Sequence, residues 1–103
     1  MIRRILDWFR GRPTPPAPPT DRERRVLGAI AWAGRPLYGL EVAERAKLGG
    51  SIYMVLGSLE RRGWVTAEER PVSGRVAEIR GGRPRVYYAL TPSGRTAWEA
   101  DAP

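Results

Sequence analysis

The chain has 103 residues with no cysteine and no histidine, so it holds one small domain, forms no disulfide and lacks the commonest metal ligands and general base. Its 18 basic residues outnumber 11 acidic ones, giving a formal charge of +7 and a pI near 11.0, a balance that favours polyanionic partners. No apolar run approaches the ~18 residues that span a bilayer, and no apolar signal core follows the basic N-terminus, so a cytoplasmic protein is expected.

Residues 1–10 read as a short amphipathic helix. Ile2, Ile5, Leu6 and Phe9 share one face, with Trp8 beside it. Residues 11–19 form a Pro-rich linker, with five prolines between positions 11 and 20 that favour an extended polyproline II spacer. The main domain is expected over residues 20–103. Thr20 and Glu23 have capping-box spacing, and a helix to about Ala33 buries Val26, Leu27, Ile30 and Trp32. Gly34-Arg35-Pro36 stops it, and Leu37-Tyr38-Gly39 is a connector. A second helix covers about Leu40 to Lys47, with Leu48-Gly49-Gly50 as the turn and Ser51 as N-cap of a third.

In that third helix, residues 51–62, Ile52, Val55, Leu56 and Leu59 recur at helical spacing and form the anchoring face. Gly63 ends it. Residues 64–70 read as a strand, residues 71–84 as a loop or wing, and Val76 to Ile79 as an extension of either wing strand. Val86-Tyr87-Tyr88-Ala89-Leu90 is a β run, and Thr91-Pro92 opens a last short helix.

The order helix, turn, helix, strand, loop, strand is that of an α+β winged helix-turn-helix: three helices, a two-stranded β-wing and a short C-terminal helix, carried behind an amphipathic N-terminal helix. A helix held by its apolar face leaves its outer face for the major groove of a duplex. On that face Ser51, Tyr53, Met54, Gly57, Ser58 and Arg61 are the candidate DNA contacts. The wing adds Arg75, Arg80, Arg83 and Arg85, with Arg70 at its flank and Glu78 as the acidic exception, a composition suited to phosphates. An ordinary helical hairpin with a solvated basic loop is the competing reading.

Three stretches carry a family resemblance. Leu37-Tyr38-Gly39-Leu40-Glu41, then Ser51-Ile52-Tyr53 with Leu56 and Leu59-Glu60-Arg61-Arg62-Gly63-Trp64-Val65, then Gly82 to Arg95 with its Tyr87-Tyr88-Ala89-Leu90-Thr91-Pro92 core, resemble PadR-like transcriptional regulators in the same order. The likeness covers about residues 24–98. It implies a winged helix-turn-helix that represses transcription as a dimer, with Ser51, Tyr53 and Met54 facing DNA and the wing arginines clasping the backbone. It also implies structural roles for Tyr38 and Gly39.

The sequence therefore points to a regulator whose partners are double-stranded DNA and a second copy of itself. No enzyme activity, metal or cofactor is called for. The leader's Ile2, Ile5, Leu6, Trp8 and Phe9 are candidate contacts to a protein partner or across a dimer. Arg3, Arg4 and Arg10 beside them permit a membrane anchor, and a tail without contacts is the remaining reading, but a helix this short is marginal alone and protein contact is preferred. The alternative function is a winged-helix interaction or structural module, for example in a phage particle, docking through residues 1–19.

Overall fold

Thr20 starts the first helix as its spacing predicts. Its hydroxyl accepts from the Glu23 backbone N–H at 3.2 Å, and the Glu23 carboxylate accepts from the Thr20 N–H at 3.0 Å. The computed structural model describes residues 17–100. The expected leader helix, with Ile2, Ile5, Leu6, Trp8 and Phe9, and the linker up to residue 16 lie outside the described residues.

Helix α1 runs over Asp21–Ala33, strand β1 over Leu37–Tyr38, helix α2 over Gly39–Ala46 and helix α3 over Ile52–Arg61. Strand β2 (Val65–Arg70), helix α4 (Gly74–Arg80), strand β3 (Arg85–Leu90) and helix α5 (Pro92–Ala100) complete the order. The sheet is antiparallel with order β1-β3-β2. The apolar face of α3 packs as predicted: Ile52, Val55, Leu56 and Leu59 are buried with Val26, Leu27 and Ile30 of α1, Leu37, Val42, Trp64, Val65 and Tyr88.

Four expectations are corrected, the last at Ser51. The sheet has three strands, because the Leu37-Tyr38 connector pairs with β3, placing Leu37 opposite Tyr88 and Tyr38 opposite Tyr87. Leu37 thereby enters the core, and Tyr38 lies on the other sheet face. Second, residues 76–79 belong to helix α4 rather than to a wing strand. Pro71 and Pro84 supply no N–H to a ladder, so the segment between them satisfies its backbone locally. Gly81, at φ +63°, ends that helix in the left-handed region. Third, Trp32 is 82% exposed and lies edge-on to Trp98 of α5, with centroids 6.4 Å apart.

Ser51 precedes α3 without a side-chain cap bond, which also departs from expectation. The far end of α3 follows the sequence closely. Gly63 takes φ +74°, its N–H reaches the Glu60 carbonyl at 2.9 Å, and the Trp64 N–H reaches the Leu59 carbonyl at 3.0 Å. That is a Schellman ending, with Leu59 and Trp64 both buried as its apolar contact.

Two pins fix α3 and the sheet against the outer helices. The buried Glu23 carboxylate accepts from the Ser58 hydroxyl at 2.9 Å and pairs with the Arg62 Nε at 3.1 Å. The Arg62 guanidinium also lies 4.4 Å over the Trp64 ring and donates to the Ala17 carbonyl. At the other pin, the Trp64 carbonyl accepts from the Thr91 N–H at 3.0 Å, and the Thr91 hydroxyl accepts from the Gly94 N–H at 2.9 Å. Gly94 is buried there, and a Cβ on it would stand 2.0 Å from the Trp64 oxygen.

Gly94→Ala should therefore cost about 1–3 kcal/mol through forced separation of α5 from the Trp64 backbone. Gly49→Ala, where a Cβ meets nothing within 4 Å, should be nearly neutral. Glu23→Ala should cost ~2–3 kcal/mol, below the range for fully buried pairs because Arg62 keeps partial solvent access. Urea unfolding of the four proteins checks all three values.

Candidate nucleic-acid interface

The outer face of α3 begins at Tyr53 and Met54, which are 57% and 79% exposed. Tyr53 is anchored on one side. Its ring and hydroxyl lie 2.8 Å from where a Cβ on Gly39 would be, so the ring rests on bare backbone at the start of α2. The Tyr-Gly pair at 38–39 therefore has a physical reason: any larger residue at 39 would push Tyr53 off its seat. Farther along, the Arg61 guanidinium lies 3.5 Å from the Cβ position of Gly57, folding back along the helix.

Ser51 and Gly57 are half-buried, whereas Arg61 is exposed. Ser58 stands apart from the other sequence candidates, because its hydroxyl points inward to Glu23. The outer face thus presents Tyr53, Met54, Glu60 and Arg61. Tyr88 lies beneath them, its phenol pushed up by burial and by the nearby Glu60 charge.

In the wing, each arginine has a different environment. Arg75 and Arg83 are exposed. Arg80 staples the wing closed, donating to the carbonyls of Arg83 at 3.1 Å and Pro84 at 3.0 Å. Arg83 returns one bond to the Arg80 carbonyl at 3.0 Å. Arg85 lies 4.2 Å over the Tyr38 ring. Glu68 and Glu69 of β2 belong to the same hairpin, so Glu78 is not its only acidic residue.

Sequence reasoning did not bring Tyr38 together with Tyr87, Arg70 and Arg85 on the outer face of the sheet. Register places Tyr87 between Glu68 and Tyr38, and Arg70 directly opposite Arg85. The Tyr38 and Tyr87 rings meet edge to face at 5.9 Å, and Arg70 lies 4.6 Å over Tyr87. The signal was present: Arg85 and Tyr87 alternate at period two with Val86 and Tyr88, which pack on the core side. What hid it was β1, two residues too short to read as a strand.

Arg35 and Glu41 close the edge of this face. The Arg35 Nη2 reaches the Glu41 carboxylate at 2.7 Å, and the Tyr38 N–H donates to the same carboxylate at 3.2 Å. The Arg35 bond, against the opposing effect of burial, holds the Glu41 carboxyl below its ordinary value, with the Tyr38 N–H adding to the lowering.

The sequence pattern of the transcriptional regulator PadR-like family matches residues 26–100, spanning α1 to α5. The chain belongs to that family. A PadR family transcription regulator from hypervirulent Clostridium difficile R20291 superposes with a TM-score of 0.64 at 20% identity, over 79% of this chain and 82% of its own.

The PcaV transcriptional regulator of Streptomyces coelicolor, solved with its natural ligand, gives 0.62 at 30% identity over 78% of this chain and 50% of its own. A MarR family regulator from Silicibacter pomeroyi gives 0.59 at 23% identity, over 80% and 49%. The chain spans about half the length of the last two. No curated protein sequence matches it.

Because the folded Glu41 carboxyl is the stronger acid, its contribution to stability is complete above the ordinary value near 4.5 and is lost as pH falls through the lowered folded value. Glu41→Gln should be less stable than the parent at pH 7. The gap should close as acid protonates the carboxylate, which thermal melts across pH 3–7 will read.

Proposed function

We propose that this PadR-like protein is a DNA-binding transcriptional repressor that places α3 in the major groove and its wing against the flanking backbone. The observation that carries this reading is the build of α3: four buried apolar anchors on one side, and an exposed Tyr53 seated on Gly39 on the other. An aromatic with one face supported by backbone loses little freedom on contact, which suits discrimination between base edges. Tyr53, Met54 and Arg61 are assigned to the groove, with Ser51 and Gly57 allowing close approach.

Arg75 and Arg83, exposed on the wing, are the assigned phosphate contacts, with Arg85 behind them. Arg80 contributes by holding the wing's shape, since its donors are engaged within the loop. Ser58 turns away from the groove, its hydroxyl bonded to Glu23. The protein acts in the cytoplasm at the nucleoid, and as a homodimer. The exposed Trp32, edge-on to Trp98, gives the two outer helices an apolar patch suited to a second copy.

A fluorescence titration of the full chain with a random-sequence duplex and with promoter fragments tests this reading. Binding should weaken steeply between 50 and 200 mM salt as counterions reassociate. Tyr53→Ala should reduce the preference for a selected promoter over random duplex by about tenfold, the loss of one good base contact. Arg83→Gln should weaken both duplexes to a similar degree. Absence of any duplex binding at 50 mM salt would sink the reading.

A further inference from the structure

Arg70 and Arg85 are direct cross-strand partners, so two like charges stand side by side on the outer face of the sheet. Such pairs are normally unfavourable. Here both guanidiniums lean along the diagonal onto an aromatic face, Arg70 over Tyr87 at 4.6 Å and Arg85 over Tyr38 at 4.2 Å. The two rings brace each other edge to face. The pair is therefore held in place by a rigid aromatic floor spanning β1 and β3.

Their hydrogen-bond donors are barely used. Arg70 makes one exposed contact, 3.3 Å to Glu68, of the kind that contributes little. The Arg85 guanidinium makes no hydrogen bond or ion pair among the described residues, and its Nε is enclosed without a partner. A guanidinium stacked on a ring presents its N–H edge sideways, the geometry that receives an oxyanion. A third cation, Arg35, borders the same rings, although Glu41 already occupies it.

We propose that Arg70 and Arg85 together hold one phosphate group on the outer face of the sheet. The anion relieves the repulsion between the two cations and supplies acceptors to donors that have none. The site lies at the base of the wing, and its two platform tyrosines are positioning residues. The source of the phosphate is the backbone of bound duplex, a point that rests on the DNA reading above. Free phosphate is the other source of the same chemistry.

Two arms test the proposal on the full chain. In the first, the Arg85 Nε–Hε resonance is followed by NMR as inorganic phosphate is added. It should shift and saturate, and the response should fall at least fivefold in Arg70→Gln. No saturable shift, or a response indifferent to Arg70→Gln, overturns the site. Melting curves of the variants, expected to match the parent, separate this result from misfolding.

In the second arm, the salt dependence of duplex binding is compared for the parent, Arg70→Gln, Arg85→Gln and the double variant. Each single change should lower the slope of log K against log salt by about 0.9, the value for one phosphate, and the double change should lower it no further. A double variant that loses about twice as much means two separate phosphates and overturns the shared site. Slopes unaffected by any variant, with the NMR response intact, assign the site to free phosphate and uphold it. A parent that binds no duplex overturns the DNA reading, and the NMR arm alone then decides the site.

Discussion

The Glu23 carboxylate joins two helices that lie far apart in the chain. It closes the first turn of α1, accepts the hydroxyl of Ser58 from the middle of α3, and pairs with Arg62 at that helix's end. Arg62 passes the constraint on, to the Trp64 ring just before β2 and to the Ala17 carbonyl. A buried ion pair is weak evidence of stability, since desolvating both groups offsets much of the attraction. Its value here is positional. The four buried anchors of α3 set the face it turns inward, and the carboxylate, with its fixed acceptor directions, adds a directional contact on that side.

That rotation determines which residues face outward. With Ser58 turned inward, Tyr53, Met54 and Arg61 are left on the solvent side, and Tyr53 settles on Gly39. The Thr91–Trp64–Gly94 contact performs the matching task for the last helix, locking α5 to the turn that ends α3. The molecule then presents two separate outer surfaces. One is the exposed side of α3 with Tyr53, Met54 and Arg61. The other is the α1–α5 side with Trp32 and Trp98.

Much of this was legible in the sequence because local rules and global packing agreed. The Thr20–Glu23 box, the buried stripe of α3, the Gly63 ending and the Thr91-Pro92 start each follow from spacing alone, and each is present. The failures share a cause: they depend on partners distant in the chain. Strand β1 exists only because β3 offers an edge to Leu37 and Tyr38. Ser58 reads as an outer-face residue until Glu23, 35 positions earlier, takes its hydroxyl.

Helix α4 is a different case, since the prolines at 71 and 84 that bound it are local features of the sequence. In the candidate site, residue types were readable, and the division of labour among the arginines was not. Whether an arginine braces a loop, as Arg80 does, or lies on a ring, as Arg85 does, is settled by tertiary geometry.

The central claim is that the α3 and wing surface, rather than the tryptophan side, meets the duplex. Mapping amide shift changes across the full chain as a short duplex is added tests it most directly. The account predicts the largest changes at residues 51–61 and 70–85, with Trp32 and Trp98 little affected. Changes centred on Trp32 and Trp98, with α3 and the wing silent, would contradict it.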